Sequence, residues 1–195
     1  MKAYDHDFHP TALVTPVGIF LPEFADFFIY HATSKVTSDC LVDVIESFWE
    51  SNKARFPEVT ELVINLDNGP ECHSRRTQFM KRMVEFARQT GLTIYLTYYP
   101  PYHSKYNAVE RCWGILELHW NGSILDTLEA VVRCSETMTW KGNFPIVELV
   151  TKTYETGVKL SKDAMDALEL EIERLPGLGK WFVKITGKKS ESSTL

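Results

Sequence analysis

Asp67 is the acidic residue whose position in the sequence is best suited to chemistry. It directly follows a short and nearly continuous apolar run, residues 61–66, which is typical of a strand buried on both faces of a parallel sheet. Ligands of open α/β sheets gather at the carboxyl ends of such strands, so a carboxylate there predicts a ligand-binding or catalytic group. The structural alternative is a tight turn, because Asp67-Asn68-Gly69 has the composition that turns favour.

The cysteines offer no second chemistry. Cys40, Cys72, Cys112 and Cys134 are far apart and form no Cys-x-x-Cys pair, which excludes a zinc knuckle or a dithiol redox motif. The N-terminus lacks the layout of a secretory signal, so we expect a cytoplasmic protein with buried, reduced thiols.

Composition excludes several classes of protein. A chain of 195 residues that is 44% hydrophobic and 12% aromatic has the material for a packed domain, and its apolar runs are too short to cross a membrane. A formal net charge of −5 argues against a protein that coats nucleic acid by bulk electrostatics. It leaves room for a local basic face.

The pattern of apolar residues predicts the elements that must position Asp67. Extended runs over residues 12–21 and 26–32 predict a hairpin, and a helix of about fifteen residues capped by Thr37 or Ser38 should follow. Further along the chain, the sequence predicts strands over 61–66, 92–99 and 181–186 and helices over 74–90, 109–120, 125–138, 145–156 and 161–175.

Several segments resemble a known family. The segments that carry the resemblance most strongly are Asp67–Glu71, Ser74–Phe79, Tyr98–Arg111 and Glu110–Gly114. Together they resemble the catalytic signatures of DDE transposases, in the bacterial insertion-sequence family often labelled Rhodopirellula-type, which is related to mariner-like elements. Weaker resemblance over Asp5–Phe8, Thr33–Asp39 and Met138–Gly142 extends the match over most of the chain.

The resemblance implies a fold and a domain organisation. The fold class is α/β, with an RNase H-like mixed sheet flanked by helices. We expect a partial catalytic core over residues 1–122, a helical C-terminal extension over residues 123–186 that packs on the core, and a disordered tail over residues 187–195.

By resemblance, Asp67 and Glu110 are catalytic residues and metal ligands. Enzymes of this family cut and join DNA with two divalent ions, Mg²⁺ or Mn²⁺, which activate the attacking hydroxyl and stabilise the leaving oxygen. The alternative for Glu110 is an ordinary solvated helix position. Asn68, His73 and Asn107 are auxiliary candidates, and His73 suits a helix-capping role equally well.

Basic side chains outnumber acidic ones between residues 67 and 111, beside the expected site. Side chains of this kind bind phosphates of a DNA backbone, although plain solvated helix surface is the alternative. The candidates for DNA contact are Arg75, Arg76, Arg82, Lys105 and Arg111.

The sequence departs from the family pattern in two places. The family's Asn-Pro-Ile-Glu is Asn107-Ala108-Val109-Glu110 here, which removes a proline and should loosen the start of the following helix. The family's first catalytic aspartate, on a first strand upstream of the hairpin, has no counterpart, because the chain begins at the Asp5–Phe8 segment that normally follows that strand. We therefore expect a truncated core with impaired strand transfer and two exposed sheet edges.

The leading hypothesis is metal-dependent phosphodiester cleavage and strand transfer by an incomplete transposase core, which leaves open whether this chain is itself an active enzyme. The alternative is a non-catalytic RNase H-like module that binds DNA or an intact transposase. Expected partners are transposon-end and target DNA, with a second copy of the chain or an intact transposase as an oligomeric partner. No membrane partner is expected.

Overall fold

A computed structural model describes residues 13–100, 103 and 106–187 of the chain. The strands are β1 (Thr15–Leu21), β2 (Asp26–Ala32), β3 (Glu61–Leu66), β4 (Thr93–Tyr98), β5 (Ile146–Val150), β6 (Ile172–Arg174) and β7 (Phe182–Thr186). The helices are α1 (Ser38–Asn52), α2 (Thr77–Thr90), α3 (Ala108–Trp120), α4 (Leu128–Thr137) and α5 (Lys162–Glu169). The predicted tail from residue 188 onward and Lys105 lie outside the described residues.

The strands form two mixed sheets. In the three-stranded sheet, here called the hairpin sheet, β1 and β2 form the predicted antiparallel hairpin and β5 adds to β2 in parallel. In the four-stranded sheet the order is β3-β4-β7-β6, with β3 and β4 parallel and the other two pairs antiparallel. The predicted mixed α/β class is confirmed.

Local signals explain where the first two helices begin and end. The Thr37 hydroxyl accepts a hydrogen bond from the Cys40 N–H, so the predicted cap of α1 is confirmed. Helix α2 ends at Gly91, whose φ of 74° is the left-handed conformation that glycine adopts without strain. It begins at Thr77, later than the predicted Ser74, because turns closed by the His73 and Arg76 N–H groups occupy the preceding residues.

Two of the predicted C-terminal helices are wrong in whole or in part. Residues 145–156 contain the strand β5, which pairs with β2 from Phe28↔Ile146 onward. Residues 161–175 contain the short helix α5 followed by β6, whose Ile172 pairs with Ile185 of β7. Strand β5 is rich in β-branched residues, and its partner β2 lies more than a hundred residues earlier in the chain. Strand β6 is only three residues long and forms by pairing with β7. The local spacing of apolar residues reveals neither partner.

Helix α1 packs on both sheets. Val44 and Phe48 contact the hairpin sheet, where the Phe48 ring lies 4.9 Å from that of Phe28. Val42, Ile45 and Trp49 join the larger core under the four-stranded sheet, together with the apolar side of α2. Two layers of structure therefore share one helix.

The remaining helices cover the sheets unequally. Helices α3 and α4 pack on the second face of the hairpin sheet, where Cys112, Leu116 and Met138 meet Phe27 and Ile29. The four-stranded sheet is covered on one face only, because alternate residues of β3 are exposed, with Val63 at 58%. The prediction that β3 is buried on both faces is therefore wrong.

The hairpin and β3 do not pair with each other among the described residues. Strand β1 ends the hairpin sheet and β3 ends the four-stranded sheet, so each has one edge without a strand partner in that part of the chain. Such edges carry backbone N–H and C=O groups that are free to pair with another strand.

Among the helices that the structure describes, none has the length and apolar composition needed to cross a membrane.

Candidate active site

Asp67 lies immediately after β3, as the sequence predicts, in a tight turn. Asn68 adopts a left-handed conformation with φ of 65°, and the Gly69 N–H donates to Oδ1 of Asp67 over 3.0 Å. A tight turn and a catalytic role for Asp67 are therefore compatible, because the turn holds the carboxylate in place. A Cβ atom at Gly69 would lie 3.2 Å from that Oδ1, so a side chain there would crowd the carboxylate.

A buried thiol donates a second hydrogen bond to the same carboxylate oxygen. The Cys72 sulfur lies 3.6 Å from Oδ1 of Asp67 and is 5% exposed. Burial and the neighbouring Asp67 raise the pKa of Cys72 to about 12, so the thiol keeps its proton and can donate it. Oδ1 thus receives two donors, and Oδ2 of Asp67 has no partner among the described residues.

The loop between Asp67 and α2 is anchored to the start of α1. One oxygen of the Glu71 carboxylate accepts hydrogen bonds from the N–H and hydroxyl of Ser38 and from the guanidinium of Arg76. The Ser38 hydroxyl also lies 2.8 Å from the carbonyl oxygen of Glu71. Because these contacts join three elements, they hold the loop in one position.

Glu110 lies in the first turn of α3, as predicted, and is exposed. The helix begins at Ala108 without a side-chain cap from Asn107. Trp113, one turn beyond Glu110, packs with Phe27 at a ring distance of 5.1 Å. Glu110 is thus positioned by the hairpin sheet and Asp67 by the four-stranded sheet, and no hydrogen bond or ion pair joins the two among the described residues.

The basic candidates divide into two groups. Arg75 and Arg111 are exposed and have no side-chain partner within the described part of the chain. Arg76 is bound to Glu71, and Arg82 is bound to acidic side chains of α1. Of the candidates that the structure describes, Arg75 and Arg111 are therefore the two that are free to contact DNA in this conformation.

The auxiliary candidates have local roles. The Nδ1 atom of His73 accepts a hydrogen bond from the Arg75 N–H at the approach to α2, in keeping with a turn-stabilising role. Asn68 shapes the turn after Asp67 through its left-handed backbone. Asn107 precedes α3 and makes no side-chain capping bond.

The oxygen donors present fit part of a divalent metal site. Oδ2 of Asp67 and the exposed carboxylate of Glu110 are the hard oxygen ligands that Mg²⁺ prefers. Over residues 13–100, 103 and 106–187, no three acidic, histidine or cysteine side chains come together as a metal-binding group.

Reasoning from the sequence missed the side chains that hold the site together. The sequence assigns no individual role to Cys72 or Glu71, because no pattern distinguishes them from ordinary loop residues. Their contacts with Asp67 and Ser38 depend on how the loop folds back.

The fold and the site together define a mixed α/β domain with one carboxylate at the carboxyl end of a parallel strand and another in the first turn of a later helix. The sequence profile of the Rhodopirellula transposase DDE domain matches residues 1–187, and the chain belongs to that family. The predicted resemblance is confirmed, the two-sheet architecture is compatible with an RNase H-like DDE domain, and the role of the chain is that of a transposase domain.

Membership of this family implies DNA as a partner, and DDE transposases generally use divalent metal ions. Comparison with curated proteins and with solved structures gave no match.

Proposed function

We propose that this chain supplies two metal-binding carboxylates, Asp67 and Glu110, of a transposase site that cleaves DNA phosphodiester bonds and transfers the cut strand. The observation that carries the proposal is the environment of Asp67. One of its oxygens is held by Gly69 and Cys72, and the other has no partner among the described residues. Mg²⁺ or Mn²⁺ bound there would activate the attacking hydroxyl and stabilise the leaving oxygen.

The surrounding residues position the two carboxylates. The Gly69 N–H and the Cys72 thiol both bind Oδ1 of Asp67, which leaves Oδ2 as the ligand oxygen. The contact between Glu71 and Ser38 fixes the loop that follows. Packing of α3 on the hairpin sheet fixes the helix that carries Glu110.

The proposed site needs a further carboxylate. Within the described residues, β1 and β3 each have an unpaired edge, and α1 packs on both of their sheets. We place the family's first catalytic aspartate on a strand that pairs between these edges, whichever polypeptide carries it. Strand transfer should depend on that strand.

Nicking of supercoiled plasmid in Mg²⁺ or Mn²⁺ tests this proposal. The 195-residue chain should give no strand transfer. A version extended upstream by a strand that carries an aspartate should nick the plasmid. The matched control carries asparagine at that position, because it can pair in the same way but cannot bind the metal.

In the extended protein, Asp67→Asn and Glu110→Gln should each reduce nicking to background while the circular dichroism spectrum stays unchanged. Full strand transfer by the chain without an extension would refute the need for a further strand that carries an aspartate. If both substitutions left nicking unchanged, the assignment of the two carboxylates would be wrong. Metal-independent DNA binding without any nicking would favour the non-catalytic binding module.

A further inference from the structure

An open groove of about 680 Å³ lies beside the loop that carries Asp67. It is bounded by the start of α2, by α5 and by the turn between β6 and β7. The side chains that matter here are Arg75, Glu169, Arg174, Lys180 and Trp181. Apart from Arg75, none of them was a candidate from the sequence.

The groove carries an excess of positive charge. Arg174 is already bound, because its guanidinium pairs with Glu169 and donates to the carbonyl oxygens of Ser74 and Gly179. Arg75 and Lys180 are exposed and have no side-chain partner among the described residues. Two cations are thus available to an anionic ligand.

Trp181 adds an aromatic surface to these cations. It is partly buried against the main core, and its indole N–H makes no hydrogen bond within the described chain. Its carbonyl oxygen accepts a hydrogen bond from the Tyr98 N–H over 2.9 Å, which fixes the residue at the end of the sheet. A partly exposed aromatic side chain on an anchored backbone, beside free cations, is the arrangement that binds single-stranded nucleic acid through base stacking and phosphate contacts.

Strand register places the groove close to Asp67. Leu66 is level with Tyr98, and Thr97 is level with Phe182, so Trp181 directly precedes β7 at the edge of the sheet where β3 and β4 end. Neighbouring strands are about 4.8 Å apart, and β7 lies two strands from β3 in the sheet. The axes of β3 and β7 are therefore about 10 Å apart. That distance corresponds to about three nucleotides along one DNA strand.

We propose that this groove binds a single-stranded stretch of DNA adjoining the cleavage site, with Arg75 and Lys180 on phosphates and Trp181 stacked on a base. The identity of the ligand rests on the proposed function. Occupation of the groove does not depend on metal, so it can be tested apart from cleavage.

The test is binding of a fluorescein-labelled single strand of about 20 nucleotides to the full chain in EDTA, measured by anisotropy over a range of salt concentrations. Arg75→Ala and Lys180→Ala should each weaken binding and lower the salt slope by about 0.7, the value for one phosphate contact on a single strand, which makes the affinity loss between about 50 and 200 mM salt about 2.6-fold smaller. Arg133→Ala is the matched control, since Arg133 is an exposed arginine on α4, away from the groove. It should leave affinity and slope unchanged.

Tryptophan fluorescence gives a second readout. Binding of an unlabelled strand should quench emission, and Trp181→Phe should remove most of the quenching while preserving an aromatic surface and the fold. Unchanged affinity and slope in both Arg75→Ala and Lys180→Ala would overturn the proposal. So would competition by millimolar inorganic phosphate with no binding of the strand, because the groove would then be a site for small anions.

The two proposals fail in different ways. If the groove variants bind normally while Asp67→Asn still abolishes nicking in the extended protein, DNA runs elsewhere and the catalytic assignment stands. If Asp67→Asn leaves nicking unchanged while the groove variants lose binding, the catalytic assignment fails and the groove stands.

Discussion

Replacing Arg82 by alanine should lower the free energy of unfolding by about 2–3 kcal/mol and leave the DNA affinity of the folded protein unchanged. The Arg82 side chain is 17% exposed and lies between α1 and α2. Its guanidinium is 2.9 Å from Asp39, 2.8 Å from Asp43 and 3.2 Å from Glu46. Arg82 therefore links two helices, whereas the sequence makes it a candidate for DNA contact.

The size of the predicted stability loss depends on which other partners each carboxylate retains when Arg82 is removed. Asp39 retains a hydrogen bond from Gln78, and Asp43 retains Lys152 and Tyr154, whereas Glu46 has no other partner among the described residues. Hydrogen bonds to charged groups contribute about 1.5–3 kcal/mol when buried, and exposed ion pairs contribute about 1 kcal/mol or less. Because Arg82 is partly exposed, its contacts with Asp39 and Asp43 contribute about 1 kcal/mol each. The loss of the partner of Glu46 accounts for the rest of the predicted loss of about 2–3 kcal/mol.

The loss should also depend on pH. Burial raises the pKa of Asp43, but hydrogen bonds from Lys152, Arg82 and Tyr154 outweigh it and hold this pKa below its ordinary value of 3.8. A lowered carboxyl pKa stabilises the folded state above the unfolded-state pKa, and this contribution disappears as the pH falls through the folded-state pKa. The difference between the parent and Arg82→Ala should thus be complete at neutral pH and shrink below about pH 3.8.

Urea unfolding monitored by circular dichroism measures the effect, with Arg133→Ala as the control that should change stability by less than about 0.5 kcal/mol. If Arg82→Ala unfolded at the same urea concentration as the control, the ion pairs would contribute nothing to stability. If it lost DNA affinity while folded, Arg82 would be a DNA contact after all.

Three further predictions test other parts of the fold and site. His31 is fully buried, its Nε2 lies 2.8 Å from the Ser135 hydroxyl, its Nδ1 has no hydrogen-bond partner in the described part of the chain, and burial lowers its pKa below 6.5. The unfolded chain therefore takes up the proton first, so below pH 6.5 the parent should lose up to about 1.4 kcal/mol per pH unit more than His31→Gln in urea unfolding; parallel curves would contradict this. Gly18→Ala should cost about 1–3 kcal/mol in the same assay, because its Cβ would lie 2.4 Å from the Trp113 ring; a parent-like stability would show that α3 shifts freely. In the extended protein, Cys72→Ala should raise the metal concentration needed for nicking by about tenfold and Cys72→Ser should restore it, whereas equal behaviour of the two variants would remove the thiol from any role in positioning Asp67.

The elements that the sequence predicts correctly are those with strong local signals. The hairpin, the Thr37 cap of α1 and the Gly91 end of α2 each depend on side chains within a few residues of one another. Prediction fails where the deciding partner is distant. Strand β5 forms because β2 offers it a free edge, although its apolar spacing also suits a helix.

The same division holds for the candidate site. The sequence by itself determined that Asp67 directly follows a strand and that Glu110 lies in the first turn of a helix. Both positions follow from the apolar pattern and turn composition around them. Only the tertiary structure decided which oxygen of Asp67 is held by Cys72, that Arg82 is bound to α1, and that Lys180 and Trp181 lie beside Arg75. These relations join residues that the chain brings together only when the sheets and helices pack, and no local pattern of residue types encodes such distances.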